Sequence, residues 1–378
     1  MNVFSKTMLD ATSHTTQGRV LEATRLIQLA LRGGTPAAEA PAAPGVAKPA
    51  SSLTTRAEEV AFREVRTAPE PVSRQTLTQD GAVFRRSAPR AATGSFTAHT
   101  LAHAGSKHPY HVYVPPPSAE PPALLLMLHG CKQDAVDFSL GTGMNILADR
   151  HNIVVVYPEQ RTSANNMGCW NWFDPAHQSQ GRGEPDMLRK LVRDILASKF
   201  CDPSRVYVAG LSAGGAMAAL LGQLYPELFT AIGVHSGLPP RAASDVTSAF
   251  GAMRKGVEPR QQMTVRIPTI CFHGSSDSTV APKNATTLIT EQLGAWKEEG
   301  VALDPVGSEE RRGRVATRTQ WIDQKGTPML ESWLVAAGPH AWSGGDRRGS
   351  FTDPSGPDAS LAMVKFFLRH RRTPMRAP

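Results

Sequence analysis

The sequence has no apolar run near the roughly 18 residues that cross a bilayer. Its most apolar stretch, residues 123–128, is only as long as one strand. The first residues (MNVFSKTMLDATSHTTQ) lack the apolar core of a secretory signal, so the expected address is the cytoplasm. Cysteine is scarce: four in 378 residues do not build a disulfide scaffold. No Cys/His spacing suits a metal, no glycine loop suits a phosphate, and no internal repeat is visible. No cofactor is expected.

An excess of one charge is present but modest. There are 41 Lys+Arg against 33 Asp+Glu, a formal net charge of +8. The basic residues are dispersed, apart from Arg369, Arg371, Arg372 and Arg376 near the C-terminal end. No aromatic-interleaved basic stretch or RNP-like signature goes with them, so they read as solvated surface and nucleic acid is not an expected partner. The 40% apolar content supports a sizeable core. The length suits two domains, or one large α/β domain with an extension.

Residues 19–32 (RVLEATRLIQLALR) have helical period. Arg19, Glu22, Arg25, Gln28 and Arg32 share one face, Val20, Ala23, Ile27, Ala30 and Leu31 another, and Gly33-Gly34 ends the helix. Such a helix docks on the main domain or a second subunit, or tethers the chain to an apolar surface. Residues 35–53 collapse to Ala, Pro, Gly and Ser, which bury too little to offset chain entropy and read as a disordered linker. The expected organisation is an amphipathic helix region (1–34), a linker and irregular segment (35–93), an α/β domain (94–372) and a basic tail (373–378).

From Gly94 onward, short apolar runs alternate with amphipathic stretches. Strands are expected at 96–103, 110–114, 124–128, 153–157, 206–209, 231–234 and 269–272, with a strand pair between 317 and 335. Helices are expected at 138–151, 187–200, 213–225, 284–299 and 360–370. This alternation predicts an α/β class domain: a mostly parallel central sheet with helices on both faces.

Gly210-Leu211-Ser212-Ala213-Gly214 fits G-x-S-x-G. The string alone is weak; its setting, directly after an apolar strand and opening a helix of small residues, is what a nucleophile elbow needs. A serine hydroxyl becomes nucleophilic only when a base takes its proton, and in this arrangement an acid and then a histidine follow in the chain. Four histidines follow Ser212. His370 lies in a basic tail helix and reads as solvated, while His235 and His273 end strands ahead of any acid and read as packing or loop-bracing residues. His340, in a loop after an apolar strand, is the expected base. Asp277, after a strand and a glycine turn, is the expected acid; Asp245 and Asp323 lack that setting. The oxyanion hole is expected from the backbone amides of Ala213 and Cys131, with His129 bracing the latter's loop.

Five segments, in order, carry a resemblance: LLLMLHGCKQ, GCWNWF, RVYVAGLSAGGAM, HGSSDSTV and GPHAWSGG. Together they resemble the poly(3-hydroxybutyrate) depolymerase family of α/β-hydrolase esterases, which shades into feruloyl and acetyl-xylan esterases. The resemblance implies the α/β-hydrolase fold, a Ser212, Asp277 and His340 triad, and the Cys131 and Ala213 amides as oxyanion hole. It also implies that Cys131 can pair with Cys169. With no signal and no polymer-binding domain after the last helix, an intracellular or oligomer-cleaving esterase is expected rather than an enzyme attacking crystalline extracellular polymer. Trp170, Trp172, Phe173 and Trp342 form either local packing or an apolar wall for the acyl chain. Cys201 and Cys271 read as buried apolar residues.

The expected function is that of a serine esterase acting on poly- or oligo-3-hydroxybutyrate type esters, its partner being that ester substrate. A feruloyl or acetyl-xylan type esterase is the alternative. A non-catalytic protein bound to a polymer-granule surface is the alternative of another class.

Overall fold

In the centre of the sheet, strands are buried on both faces, which is why their sequences run apolar without alternating. Every residue is buried in β3 (Ala123–Leu128), β4 (Ile153–Pro158), β5 (Val206–Leu211), β6 (Ala231–His235) and β7 (Thr269–Gly274). Successive side chains go to opposite sides. Leu124, Leu126 and Leu128 enter one core cluster, whereas Leu125 and Met127 enter the other. The computed structural model describes residues 93–199, 201–260 and 263–372. The helix expected at 19–32, the linker at 35–53 and the tail at 373–378 lie outside the described residues.

Four further strands complete the sheet: β1 (Ser95–His103), β2 (Ser106–Val114), β9 (Arg314–Ile322) and β10 (Pro328–Val335), with β8 (Asp304–Arg312) at one edge. Among the described residues it has ten strands in the order β1-β2-β4-β3-β5-β6-β7-β10-β9-β8. Pairing from β4 through β10 is parallel; the β1–β2 and β8–β9 ends are antiparallel. The sequence reading missed β8. Its residues, DPVGSEERR, are those of a charged edge strand, which discourages pairing with another chain.

The single helix expected at 138–151 is two, α1 (Ala135–Thr142) and α2 (Met144–His151), broken where Gly143 takes φ 62°. Next come α3 (Gly183–Ser198), α4 (Ala213–Leu224), α5 (Val246–Lys255), α6 (Lys283–Glu298) and α7 (Ala359–Phe367). Buried residues of α3, α4 and α6 join the first core cluster and those of α1, α2 and α7 the second, so helices cover both faces. Helix α5 was not expected. The Asp245 carboxylate accepts from the Ser248 amide at 2.8 Å, and Ser248 Oγ accepts from the Asp245 amide at 3.1 Å, a reciprocal cap.

His370 corrects a sequence expectation. Helix α7 stops at Phe367, and His370 is buried with its ring 4.7 Å from that of Phe366. Burial lowers its pKa to about 4. Cys201 and Cys271 are free and buried, and burial pushes both thiols up to about 12. Among the described residues, no helix is long and apolar enough to cross a membrane.

Candidate active site

Ser212 stands between β5 and α4 with φ 57° and ψ −118°. A non-glycine residue holds such a conformation only where its surroundings over-determine it. Two glycines supply the constraint. A Cβ on Gly214 would lie 2.1 Å from the Leu128 carbonyl oxygen, and one on Gly210 would lie 2.4 Å from Gly214. The end of β3 and the first turn of α4 therefore meet backbone to backbone, which presses the elbow against the loop that starts at His129. The Ser212 amide donates to the His235 carbonyl at 2.8 Å.

A second close approach brings the acid and the imidazole together. A Cβ on Gly274 would lie 2.2 Å from the Gly338 carbonyl oxygen, so the loops after β7 and β10 touch through their backbones. The Ser276 amide donates to that same carbonyl at 3.0 Å. His340 Nδ1 then lies 2.7 Å from Asp277 Oδ2. Asp277 Oδ1 accepts from the Thr279 and Val280 amides at 2.9 and 2.8 Å. Burial alone would raise this carboxyl, but hydrogen bonds from His273, His340 and the Val280 amide outweigh it and hold it well below the usual carboxylate range. Asp277 is an anion that receives the Nδ1 proton of His340, leaving Nε2 able to accept one. Ser212 and His340 line the same cavity, of about 480 Å³.

The loop after β3 forms the facing wall. Gln133 Oε1 accepts from the Gly130 amide at 2.9 Å, and the Lys132 amide donates to the Met167 carbonyl at 2.8 Å. Between them, the Cys131 amide makes no backbone hydrogen bond among the described residues, and Ala213 is the first residue of α4, a position whose amide has no intrahelical acceptor. Both are available to an oxyanion. Sequence reasoning missed Gln133 and its supports. Gln133 Nε2 donates to Asp137 Oδ2 at 2.9 Å and to the Ser350 carbonyl at 3.1 Å, tying the loop to α1 and to residue 350. The Gln of HGCKQ was the only signal for it.

One histidine and a pair of cysteines brace this wall. His129 Nε2 accepts from the Gln160 amide at 3.1 Å, so Nδ1 carries the proton and donates to the Gly130 carbonyl at 2.7 Å. That ring is buried, and burial lowers its pKa. Cys131 and Cys169 form a disulfide with their Cα atoms 4.3 Å apart.

Of the aromatic residues singled out above, Trp172 and Phe173 line the cavity. The acyl-wall expectation is corrected for Trp170 and Trp342, which do not line it. Trp170 is fully buried with its ring 5.6 Å from His129. Trp342 stacks on His235 at 5.0 Å and donates from Nε1 to Ser360 Oγ at 2.9 Å. The remaining apolar wall comes largely from α5 (Val246, Ala249, Phe250 and Met253), together with Leu238 and Phe351.

The sequence profile of a family described as Esterase PHB depolymerase matches residues 108–296, half of the 378-residue chain. Poly(3-hydroxyalkanoate) depolymerase C of Paucimonas lemoignei is 31% identical over 236 residues, covering 57% of this chain and 54% of that protein. Feruloyl esterase B of Neurospora crassa is 34% identical over 140 residues, covering 37% of this chain and 47% of that protein. The chain thus spans about half the length of these curated relatives. An acetyl xylan esterase from Aspergillus awamori has the same fold, with TM-score 0.56 at 19% identity over 72% of this chain and 99% of that one. The matched half carries Cys131, Ser212 and Asp277, and the fold brings His340 to them from outside it. The chain belongs to the Esterase PHB depolymerase family.

Proposed function

We propose that the chain hydrolyses carboxylic esters through an acyl-enzyme, with Ser212 as nucleophile, His340 as general base and Asp277 as its orienting acid. Ser212 Oγ attacks the ester carbonyl carbon as His340 Nε2 takes the hydroxyl proton. The carbonyl oxygen, now negative, accepts from the Cys131 and Ala213 amides, each worth on the order of 3 kcal/mol in the transition state. His340 returns the proton to the departing alcohol, then draws one from the water that releases the acid and restores Ser212. The observation that carries this reading is the Asp277–His340 contact of 2.7 Å beside a cavity that Ser212 shares.

The substrate reading is poly- or oligo-3-hydroxybutyrate type esters. Two features favour it: the depolymerase names among the relatives and the apolar cavity wall. Met167, Val246, Phe250 and Phe351, all in that wall, are also among the exposed large apolar residues. An apolar rim at the mouth suits contact with a polymer or granule surface. A feruloyl or acetyl-xylan type esterase is the second reading, favoured by the similarity to feruloyl esterase B. The Cys131–Cys169 bond would persist in an oxidising compartment.

Hydrolysis of p-nitrophenyl butyrate by wild type and Ser212→Ala tests the mechanism. The variant is expected to fold normally and lose turnover. Retention of about a tenth of the rate would sink the assignment, and the loss with His340→Ala should be non-additive. Rates on hydroxybutyrate oligomers, feruloyl esters and acetylated xylan decide the substrate class.

A further inference from the structure

A second imidazole, unused in the steps above, reaches Asp277. His273 lies in β7, four positions before Asp277, and is 1% exposed. Its Nε2 stands 2.8 Å from the Val280 carbonyl oxygen and 3.3 Å from Asp277 Oδ2. Both neighbours are acceptors, so Nε2 carries the ring proton. Nδ1 is then a bare lone pair, buried with no hydrogen-bond partner. An orphaned buried polar atom costs stability, and an apolar side chain of similar volume would fill the space without that cost. Packing alone does not account for a histidine here.

What the ring offers is its Nε2–H. Val280 belongs to the turn that carries Asp277, and its amide donates to Asp277 Oδ1 at 2.8 Å. By holding the Val280 carbonyl, His273 clamps that turn from the side opposite the amide. The positive edge of the same N–H faces Oδ2, the oxygen that also receives the His340 proton at 2.7 Å. One carboxylate oxygen is thus shared by two imidazoles.

We propose that His273 is a positioning residue for the Asp277–His340 pair. Its Nε2–H fixes the carboxylate and moderates the pull of Asp277 Oδ2 on the Nδ1 proton of His340. The inference rests on the assignment of Ser212, His340 and Asp277 given above. Of the other groups around His340, Lys132 is a cation in the cavity wall and His235 a neutral ring behind it. Substitution at position 273 leaves Lys132 as it is, and removes only the smaller, electrostatic part of what lowers the pKa of His235, whose burial is the larger cause.

The test is the pH profile of kcat/KM for p-nitrophenyl butyrate with His273→Leu and His273→Gln. Leucine removes the donor, whereas the glutamine amide places one near the position of Nε2. With leucine, the acid limb is expected to rise by about half a unit and kcat to fall about tenfold. With glutamine, the limb is expected within about 0.2 unit of wild type. An unmoved limb in His273→Leu, with turnover still dependent on Ser212, makes His273 a packing residue and overturns the proposal. Full activity in Ser212→Ala would instead overturn the underlying site assignment. Should the leucine variant not fold, the imidazole ¹⁵N spectrum of the wild type decides. The Nε2–H tautomer is expected for His273, and an Nδ1–H tautomer refutes the role.

Discussion

Acid should destabilise this protein through His235. His235 is 1% exposed, and its Nε2 accepts from the Ser343 amide at 2.9 Å. Burial, with help from His273 and His340, lowers its pKa from the ordinary 6.5 to about 3. The unfolded chain therefore takes up a proton below 6.5 that the folded one refuses until about 3. This contribution to stability is complete above 6.5 and is lost as the pH falls toward 3. At about pH 5 the loss is roughly 1.5 units at 1.36 kcal/mol each, about 2 kcal/mol. His370, lowered to about 4, titrates over the same range and adds a similar loss. The informative substitution is His235→Gln, because its amide oxygen can still accept from Ser343 but cannot titrate. Urea unfolding at about pH 7 and about pH 5 gives the stability difference for each protein. Wild type should lose about 2 kcal/mol more than the variant over that interval. Equal losses would refute the reasoning. Because the His235 carbonyl holds the Ser212 amide, local acid unfolding would disturb the elbow as well.

Gly214→Ala should cost about 3 kcal/mol or more, since its Cβ would sit 2.1 Å from a backbone oxygen that has no side-chain freedom. An unchanged melting temperature would contradict that. Replacing both Cys131 and Cys169 by serine opens a loop spanning a sequence separation of 38 and should cost about 4 kcal/mol. Without reductant, the denatured wild type should titrate as two thiols, from Cys201 and Cys271; four would mean the bridge is open. Deleting residues 1–53 should leave kcat/KM on a soluble ester within about twofold, as the Pro/Ala composition that follows the helical stretch predicts. Loss of that activity would place the segment within the catalytic unit.

The sequence showed most of the sheet because strands β3 to β7 are buried on both faces and must be apolar throughout. Strand β8 could not be read in that way, since it pairs only with β9 and has the composition of an edge. Helix α5 (VTSAFGAMRK) also gave little signal: only Ala249 and Ala252 are buried in it, and its larger apolar side chains face a cavity. Its Asp245-x-x-Ser248 cap is written in the sequence, but the pattern is two residues of a common type and marks a helix start only once the reciprocal bonds are seen.

Ser212 and its flanking glycines were legible because an elbow is a short-range steric matter: a strand, a turn that only small neighbours permit, and a helix of small residues. The Asp277–His340 contact joins residues 63 positions apart, and it forms because the loops after β7 and β10 cross at Gly274 and Gly338. Only tertiary structure sorted the two nearby tryptophans, sending Trp172 to the cavity and Trp170 beneath His129. The same holds for the histidines, whose one-dimensional contexts are alike. His340 keeps an accepting nitrogen at the cavity, His235 is desolvated into neutrality, and His273 is turned toward the carboxylate. Residue type supplies a titratable ring, but its burial and the groups that face each nitrogen decide what that ring can do.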